Sequence, residues 1–156
     1  MQSADALVRL FRQQGLRITP QRRAIFELLA DDDSHPTAEE VFRRVSSAMP
    51  DISRTTVYNT IRELVALGEL VEVEDISAAG TRYDTRTGVH HHLFCVGCHA
   101  LVDVAHDFGG LDLPAEEASG YQVIRRQVTF YGYCPACQRD RKRKGQQGKG
   151  GGPGKP

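Results

Sequence analysis

The chain has 156 residues, of which 40% are hydrophobic and 26% are charged, with 20 Lys and Arg balancing 20 Asp and Glu. This composition excludes a disordered polymer and a membrane protein. The charge is unevenly divided, since residues 1–137 hold 13 Arg, no Lys and 19 acids (net −6), whereas residues 138–156 hold seven cations and one Asp (net +6). We predict a cytoplasmic protein, because no apolar run approaches the roughly 20 residues of a membrane helix and the N-terminus lacks the apolar stretch of a signal peptide.

The first 68 residues predict four helices. Apolar residues recur three and four positions apart, which places them on one face of each helix. Helices two, three and four are each preceded by a polar capping residue, at Thr19, Thr37 and Ser53, and Thr37 with Glu40 fits a capping box. The predicted buried faces consist, in helix order, of Leu7, Leu10 and Phe11; Ile25, Leu28 and Leu29; Val41, Phe42 and Val45; and Val57, Ile61, Leu64 and Leu67.

After Gly68 the hydrophobic period changes from helical to alternating. Residues 70–74 and 81–84 predict two short strands joined by a turn at 77–80. Compact helices followed by a β hairpin form the outline of a winged helix-turn-helix, so we predict such a domain over residues 1–84. A linker is predicted at residues 85–89.

Residues 90–137 predict a second small domain, which makes the protein α+β. Its predicted strands are 93–95, 101–104 and 122–129, with a helix near 114–119. The segment 138–156 is rich in Gly, Gln, Lys and Pro, which cannot bury apolar surface, so we predict a basic disordered tail. A solubilising end and a nonspecific phosphate-binding arm are both compatible with its composition.

One helical segment, residues 53–62, carries the side chains that DNA recognition needs. Val57 and Ile61 predict its buried face, and the opposite face carries Arg54, Tyr58 and Arg62 at four-residue spacing. Arg pairs with guanine and Asn with adenine, while Thr and Tyr reach phosphates or a thymine methyl. An ordinary solvated face has similar residues, but the strands that follow favour a recognition helix beside a wing. The predicted contacts to double-stranded DNA are Arg17, Arg22, Arg23, Arg54, Thr55, Thr56, Tyr58, Asn59 and Arg62.

Four cysteines form two CxxC pairs, Cys95 with Cys98 and Cys134 with Cys137. Four thiolates on two tight turns satisfy tetrahedral Zn²⁺ without further ligands, so we predict a closed structural zinc site. A disulfide framework is disfavoured in a cytoplasmic chain of this size, and a redox CxxC usually occurs singly in a thioredoxin-like unit. A small β domain with few large apolar residues would depend on this metal for folding.

The run of three histidines at 90–92 indicates a second site of different chemistry. Strand alternation places His90 and His92 on one face and His91 on the other. Imidazoles combined with carboxylates form a mixed nitrogen and oxygen donor set, suited to Fe²⁺ or Mn²⁺ as well as Zn²⁺. A solvated histidine cluster would have the same spacing, so the residues alone leave that alternative open. The candidate ligands of this regulatory metal are His35, Asp84, His90, His92 and Asp103.

From about residue 7 to residue 137 the sequence resembles the ferric uptake regulator (Fur) family. The matching segments are residues 15–22, 35–41, 53–60 and 82–92 together with both CxxC pairs. The resemblance implies a homodimeric, metal-dependent transcriptional regulator with an N-terminal winged helix and a C-terminal α/β dimerisation domain. It also implies a sensing metal between the domains, with ligands at the five positions just named.

Two acidic positions distinguish groups within the family. Iron-sensing members tend to carry Glu where this chain has Asp84 and Asp103, whereas peroxide-responsive members tend to have Asp at both. The resemblance therefore implies a peroxide sensor, in which bound Fe²⁺ reacts with H₂O₂, a ligand histidine is oxidised and DNA is released. Mn²⁺ would support repression without that chemistry. The alternative is an iron- or manganese-responsive repressor of metal uptake genes.

Two other classes of protein fit the sequence less well. A metal-dependent hydrolase needs an open coordination position and a general base, whereas five protein ligands leave little room for a small organic substrate. A thiol sensor needs an accessible reactive cysteine, and the predicted zinc site uses all four. We therefore predict that the protein is not an enzyme.

Overall fold

The computed structural model describes residues 1–73, 80–106 and 108–147. The chain forms two units, Met1–Gly88 (unit one) and a second that begins at Val89 (unit two), so the division falls inside the predicted linker. Among the described residues, no helix is both long and apolar enough to span a membrane. The elements in chain order are α1 (Ala4–Gln13), α2 (Pro20–Ala30), α3 (Ala38–Ala48), α4 (Arg54–Ala66), β1 (Val71–Val73), β2 (Arg82–Asp84), β3 (His91–Cys95), β4 (Leu101–Val104), β5 (Thr129–Gly132) and α5 (Pro135–Gln147).

Helices α2, α3 and α4 begin at the predicted capping residues. The Thr19 hydroxyl accepts a hydrogen bond from Arg22 N at 3.3 Å, and the Ser53 hydroxyl caps α4 in the same way. At the start of α3 the capping box is complete, because Glu40 N donates to Thr37 Oγ1 (3.2 Å) and Thr37 N donates to the Glu40 carboxylate (2.8 Å). These bonds satisfy backbone donors that would otherwise have no partner within the helix.

The apolar faces of the four helices meet in one core in unit one. The Phe11 and Phe26 rings pack edge to face, with centroids 4.8 Å apart. Val8 and Phe26 are buried although the predicted faces omit them, whereas four predicted members pack at the edge of the core and stay partly exposed: Leu10, Leu28, Phe42 and Leu67. The buried members of the core are Leu7, Val8, Phe11, Ile25, Phe26, Leu29, Ala38, Val41, Val45, Ile52, Val57, Ile61, Leu64 and Leu70.

A two-stranded antiparallel sheet follows α4. Gly68 ends the helix with a φ of 72°, a left-handed conformation that glycine adopts without strain. Val71 then pairs with Asp84 and Val73 with Arg82. Helices followed by this sheet give the winged helix-turn-helix arrangement that the sequence predicts, and the α+β class is confirmed. The predicted turn at 77–79 and Glu74 lie outside the described residues.

Unit two is built on a three-stranded sheet in the order β4-β3-β5. The central strand β3 is antiparallel to β4, with His92 opposite Asp103, and parallel to β5, with His92 opposite Thr129. Its side chains are buried at four of five positions. The sheet thus brings a histidine and a carboxylate that are eleven residues apart in sequence onto neighbouring strands.

The predicted helix near residues 114–119 is wrong. Residues 115–120 form turns, and the longest helical feature is a single turn in which Ala118 N donates to the Pro114 carbonyl at 3.0 Å. Ser119 and Gly120 have φ values of 47° and 82°, which are left-handed and incompatible with continuing a right-handed helix.

The predicted strand at residues 122–129 is also wrong, because strand β5 begins only at Thr129. Pairing with β3 determines its position, since Thr129–Gly132 lies opposite residues 92–95. The apolar residues that suggested the strand are exposed, with Ile124 at 92% and Val123 at 52%. Hydrophobic alternation was therefore misleading in this segment.

The prediction of a disordered tail is wrong for residues 138–147, which belong to α5. Pro135 occupies the first helical position, where its missing N–H costs nothing, and Gln138 N donates to the Cys134 carbonyl at 2.9 Å. Arg, Lys and Gln have high helix propensities, which an argument from missing apolar surface overlooks. Residues 148–156 of the predicted tail lie outside the described residues.

Candidate metal centres and nucleic-acid interface

The four cysteines of unit two form one cluster. Cys95 is the last residue of β3 and Cys98 ends the tight turn after it, while Cys134 and Cys137 flank the start of α5. All four Sγ atoms lie within 4.8 Å of one another, and those of Cys98 and Cys134 are 3.7 Å apart. A tetrahedral Zn²⁺ with bonds of about 2.3 Å needs sulfurs about 3.8 Å apart. The donor atoms and their spacing in this four-cysteine cluster therefore fit zinc.

Backbone N–H groups favour negative charge on one thiol of the four-cysteine cluster. Cys134 N donates to Cys95 Sγ at 3.2 Å, and N–H donors from Cys134 and then Cys98 lower the pKa of Cys95 to about 6. The neighbouring Cys134 sulfur raises the pKa of Cys137 to about 12. Four thiolates this close require a cation, because like charges otherwise keep neighbouring thiols protonated.

Gly97 allows the two cysteine turns to approach each other. A Cβ at this position would lie 2.9 Å from Cys137 Sγ and 3.0 Å from Cys137 Cβ. Any other residue would therefore push the two turns apart. The sequence places Gly97 between two cysteines, but the close approach comes from a segment forty residues further along.

In unit one, His35 and Asp84 form a buried pair. His35 Nε2 and Asp84 Oδ1 are 3.6 Å apart, and the two residues are 2% and 1% exposed. The loop carrying His35 is held against β2, since Tyr83 N donates to the Pro36 carbonyl at 3.0 Å and the Arg82 guanidinium donates to the His35 carbonyl at 3.0 Å. Both predicted ligands of unit one are thus side by side.

In unit two, His90, His92 and Asp103 form a second cluster. The Nε2 atoms of His90 and His92 are 3.1 Å apart, and they lie 3.5 and 3.6 Å from Asp103 Oδ1. His91 points elsewhere, as alternation predicts, and its Nδ1 accepts a hydrogen bond from Val128 N at 3.1 Å. The three predicted ligands of this unit therefore converge, and His91 is excluded from them.

The sequence does not single out Gln127, although its side-chain amide contacts His92 Nδ1. The structure places the amide nitrogen against Nδ1. With the amide rotated by 180°, its oxygen would accept a hydrogen bond from Nδ1–H and the lone pair of His92 Nε2 would be left for a metal ion. Metal-binding histidines are commonly oriented by such a partner. A glutamine 35 residues away in an irregular segment follows no ligand spacing pattern.

Imidazole nitrogens and carboxylate oxygens are the donor atoms both of the pair His35 and Asp84 and of the cluster His90, His92 and Asp103. Within the described part of the chain, every cysteine belongs to the separate four-cysteine cluster. Nitrogen and oxygen donors suit Fe²⁺, Mn²⁺ and Zn²⁺, whereas sulfur favours softer ions. The chemistry of these residues therefore fits the regulatory metals predicted from the sequence.

The outer face of α4 carries most of the predicted DNA contacts. Tyr58 is 48% exposed, and Thr55, Arg54 and Arg62 are also exposed. The Arg54 guanidinium donates two hydrogen bonds to the carboxylate of Glu39, at 2.8 and 3.1 Å. These exposed ion-pair contacts are weak enough for a phosphate or a base to replace. Asn59 is half-buried and accepts a hydrogen bond from Arg62 at 2.6 Å.

The remaining predicted contacts differ in accessibility. Arg22 is 16% exposed and lies 2.6 Å from the Glu63 carboxylate, so it joins α2 to α4. Arg23 is half-exposed and pairs with two neighbouring carboxylates, and Arg17 is exposed. Thr56 N and Oγ1 both contact the cap residue Ser53. Arg22 and Thr56 thus stabilise the fold, whereas Arg17 and Arg23 remain accessible to a partner.

Comparison with known proteins identifies the family in which these features occur together. The model of the ferric uptake regulator family matches residues 13–131. The chain belongs to this family. It is 34% identical over 128 residues to the peroxide-responsive repressor PerR of Staphylococcus aureus, covering 81% of this chain and 86% of the relative. The family consists of metal-responsive transcriptional repressors that bind DNA and act as dimers.

Solved structures of Fur-family proteins have the same fold. A zinc-bound manganese uptake regulator superimposes with a TM-score of 0.61 at 26% identity, over 82% of this chain and 98% of that protein. The Helicobacter pylori ferric uptake regulator, whose structure has three functional metal-binding sites, gives a TM-score of 0.68 over 88% and 95%, at 19% identity. Regulators of manganese uptake and of ferric uptake thus share this architecture.

Proposed function

We propose that this protein is a dimeric transcriptional repressor that senses peroxide through Fe²⁺. One observation carries the proposal: the candidate sensing ligands are histidines and aspartates, whereas all four cysteines lie in the four-cysteine cluster. Histidine is then the oxidisable ligand. The 34% identity with a peroxide-responsive repressor supports this function. The regulatory ligands are His35, Asp84, His90, His92 and Asp103, and the structural zinc ligands are Cys95, Cys98, Cys134 and Cys137.

We infer that one ion is shared by ligands of the two units. His35 and Asp84 provide two donors in unit one, and His90, His92 and Asp103 provide three in unit two. Neither set alone fills the coordination sphere that Fe²⁺ or Mn²⁺ prefers. A shared ion ties the units together and favours the dimer arrangement whose two α4 helices reach successive major grooves.

Oxidation of a ligand histidine would release this connection. A bound Fe²⁺ would supply the one-electron chemistry that opens the O–O bond of hydrogen peroxide and would be regenerated at the end. Overall, a ring carbon of His35 or His90 would lose two electrons and gain one peroxide oxygen, and the other oxygen would leave as water. The oxidised ring would be a poorer ligand, so metal binding would weaken and the affinity for DNA would fall. The four-cysteine cluster does not take part.

Intact-mass and peptide mass spectrometry after limiting H₂O₂ test this chemistry. We expect the Fe²⁺-loaded protein to gain the mass of one oxygen atom on His35 or His90 and to lose DNA binding. The Mn²⁺-loaded protein is the matched control and should stay unmodified, as should His99 and His106 in both samples. Retained DNA binding without histidine oxidation would refute peroxide sensing.

The exposed face of α4 supports the proposed DNA contact. Arg54→Ala combined with Tyr58→Ala should weaken operator binding more than tenfold, because each good base contact contributes about 1–3 kcal/mol of discrimination. Arg9→Ala, an exposed arginine on α1, is the control and should leave the affinity unchanged. Anisotropy titration of the Mn²⁺-loaded protein measures both. An unchanged affinity in the double variant would remove α4 from the interface.

An exposed apolar patch on the sheet of unit two supports dimerisation. Leu93 lies opposite Val102 on β4 and Phe130 on β5, so all three share one face, at 42%, 59% and 40% exposure. Such clustered patches mark interaction surfaces. Leu93→Asp should convert the dimer to a monomer in light scattering, whereas Val123→Asp, exposed outside the sheet, should not. A dimeric Leu93→Asp variant would rule this face out.

A second candidate is an iron- or manganese-responsive repressor of metal uptake genes. It is favoured by the 26% identity with a manganese uptake regulator and by a donor set that suits Mn²⁺ without any redox step. The peroxide experiment separates the two functions. Repression that follows metal concentration, with the Fe²⁺-loaded protein insensitive to limiting H₂O₂, would establish this candidate.

A further inference from the structure

Helix α5 begins after residue 131, where the match to the family model ends. Over residues 138–144 it has five cations and one acid, whereas the 137 residues before it have a net charge of −6. All of these charged side chains are exposed. They are Arg139, Asp140, Arg141, Lys142, Arg143 and Lys144. The densest run of positive charge in the described chain thus lies outside the winged helix.

The cations surround the helix instead of forming one face. Successive residues of an α-helix are rotated by about 100°, so charges at five positions between 139 and 144 point to all sides. An amphipathic helix that inserts into a membrane or an apolar groove needs a continuous apolar face. This segment has none. Its charge suits a partner that is itself an extended array of anions.

The start of α5 is anchored to Tyr133, the residue that follows β5. The Arg141 guanidinium stacks on the Tyr133 ring at 4.1 Å and donates to the Tyr133 hydroxyl at 2.6 Å. The Gln138 amide donates to the Tyr133 carbonyl at 2.6 Å. Cys137, in the first turn of the helix, belongs to the four-cysteine cluster. These contacts fix the start of a polar helix that would be marginal in isolation.

We propose that α5 is a second, sequence-independent DNA contact that binds backbone phosphates. The proposal rests on the DNA-binding function proposed above. The contacting residues are Arg139, Lys142, Arg143 and Lys144, which leaves Arg141 to hold the helix on Tyr133. Duplex DNA presents about one negative charge per 1.7 Å of its axis, which matches a helix that has cations on every side. The positive helix also offsets the repulsion between DNA and the acidic remainder of the chain.

The test uses the full-length protein with its zinc site filled and a fluorescent duplex of random sequence as the probe. Anisotropy titrations over a series of salt concentrations compare two quadruple variants with the unchanged protein. One variant removes the charges (R139Q, K142Q, R143Q and K144Q), and the matched control keeps them (R139K, K142R, R143K and K144R). Zinc content and circular dichroism verify that both variants fold.

The charge-removing variant should bind the random duplex at least tenfold more weakly at low salt. The slope of log K against log salt is negative, and each lost phosphate contact reduces its magnitude by about 0.9. The magnitude should therefore decrease by about 3 to 4. The charge-keeping variant should match the unchanged protein. An unchanged slope in the charge-removing variant, with zinc and helix content intact, would overturn the proposal.

Two further arms separate this proposal from the proposed function. The Arg54→Ala and Tyr58→Ala double variant should lose its preference for operator duplexes selected from a random pool while keeping the salt slope on the random duplex. If the unchanged protein shows no sequence preference, the repressor function fails and α5 is still tested by its slope. Tighter binding to single-stranded RNA or to phosphatidylserine vesicles than to duplex DNA would overturn the assignment of α5 to DNA.

Discussion

The two units of the chain are stabilised by different means. Fourteen apolar residues of unit one pack in a single core. Among the described residues of unit two, the buried hydrophobic residues are Phe94, Cys95 and Leu101, and apolar side chains such as Ile124 remain exposed. The hydrophobic effect scales with buried apolar area, so it can stabilise the first unit alone but contributes little to the second. We therefore expect unit two to depend on zinc bound at the four-cysteine cluster in place of a large core.

Removing zinc should have the largest effect, and it should act on unit two alone. Cys95→Ser, or chelation of the wild-type protein, should unfold the sheet and α5, because metal binding supplies the folding free energy of such a domain. Hydrogen exchange measured by peptide should show lost protection beyond residue 89 and native protection in α1 to α4. Ser77→Ala serves as the control substitution. Native protection from hydrogen exchange in unit two without zinc would contradict the view that this unit is stabilised by the metal.

Phe26→Ala should act on unit one alone. The substitution removes a fully buried ring that packs on Phe11 and should destabilise this unit by about 3–5 kcal/mol. Urea unfolding followed by exchange in α2 measures the loss, and zinc content reports on unit two. Leu28→Ala, at the partly exposed edge of the core, should lower the free energy of unfolding by a smaller amount. Equal costs at the two positions would mean that the core is not centred on Phe26.

Gly97→Ala should weaken zinc binding by about 1–3 kcal/mol, the usual cost of overpacking. The new methyl group would lie 2.9 Å from Cys137 Sγ, so the cysteine turns must separate. Gly132→Ala is a matched control, because a Cβ there meets nothing within 4 Å. Competition with a zinc chelator measures both affinities. Equal zinc affinities in the two variants would show that the two cysteine turns can separate without weakening zinc binding.

The smallest expected effect is a pH dependence in unit one. Burial opposes ionisation of Asp32, but hydrogen bonds from Ser34 and Arg44 prevail and lower the pKa of its carboxyl group. A lowered pKa means that Asp32 stabilises the fold above the ordinary Asp pKa and loses this contribution as the pH falls through the folded value. Asp32→Asn should cost up to about 1 kcal/mol at neutral pH. The difference from wild type should vanish in acid, and urea unfolding at neutral and at acidic pH measures it.

Local rules predicted most of unit one. Thr19, Thr37 and Ser53 cap their helices because capping depends on residues two or three positions apart. Most of the buried residues of α1, α3 and α4 followed from helical periodicity, although Leu10, Phe42 and Leu67 lie only at the edge of the core. Phe26 and Thr60 are also fully buried, although the sequence does not single them out. Their burial depends on which neighbouring helix covers them, and periodicity alone does not define that.

Local rules failed in unit two where pairing between distant strands decides the structure. The parallel pairing of β5 with β3 selects Thr129–Gly132 as the strand and leaves Val123 and Ile124, which suggested a strand, outside the sheet. The helix α5 has no apolar stripe, so a hydrophobic pattern could not predict it. The CxxC spacing did predict the four-cysteine cluster, because each pair is held by one tight turn. Gln127 became visible only beside His92.

The sequence by itself determined the types of donor atom, the helix starts and the uneven distribution of charge. Residue chemistry and the spacing of residues within one turn can be read directly from the amino-acid sequence. Only the tertiary structure decided which residues meet across long separations: Gly97 with Cys137, His92 with Asp103, and Arg22 with Glu63. It also showed that basic residues 138–144 are displayed on a helix held by Tyr133. Such contacts join segments far apart in sequence, so they depend on how the whole chain packs and not on any local pattern.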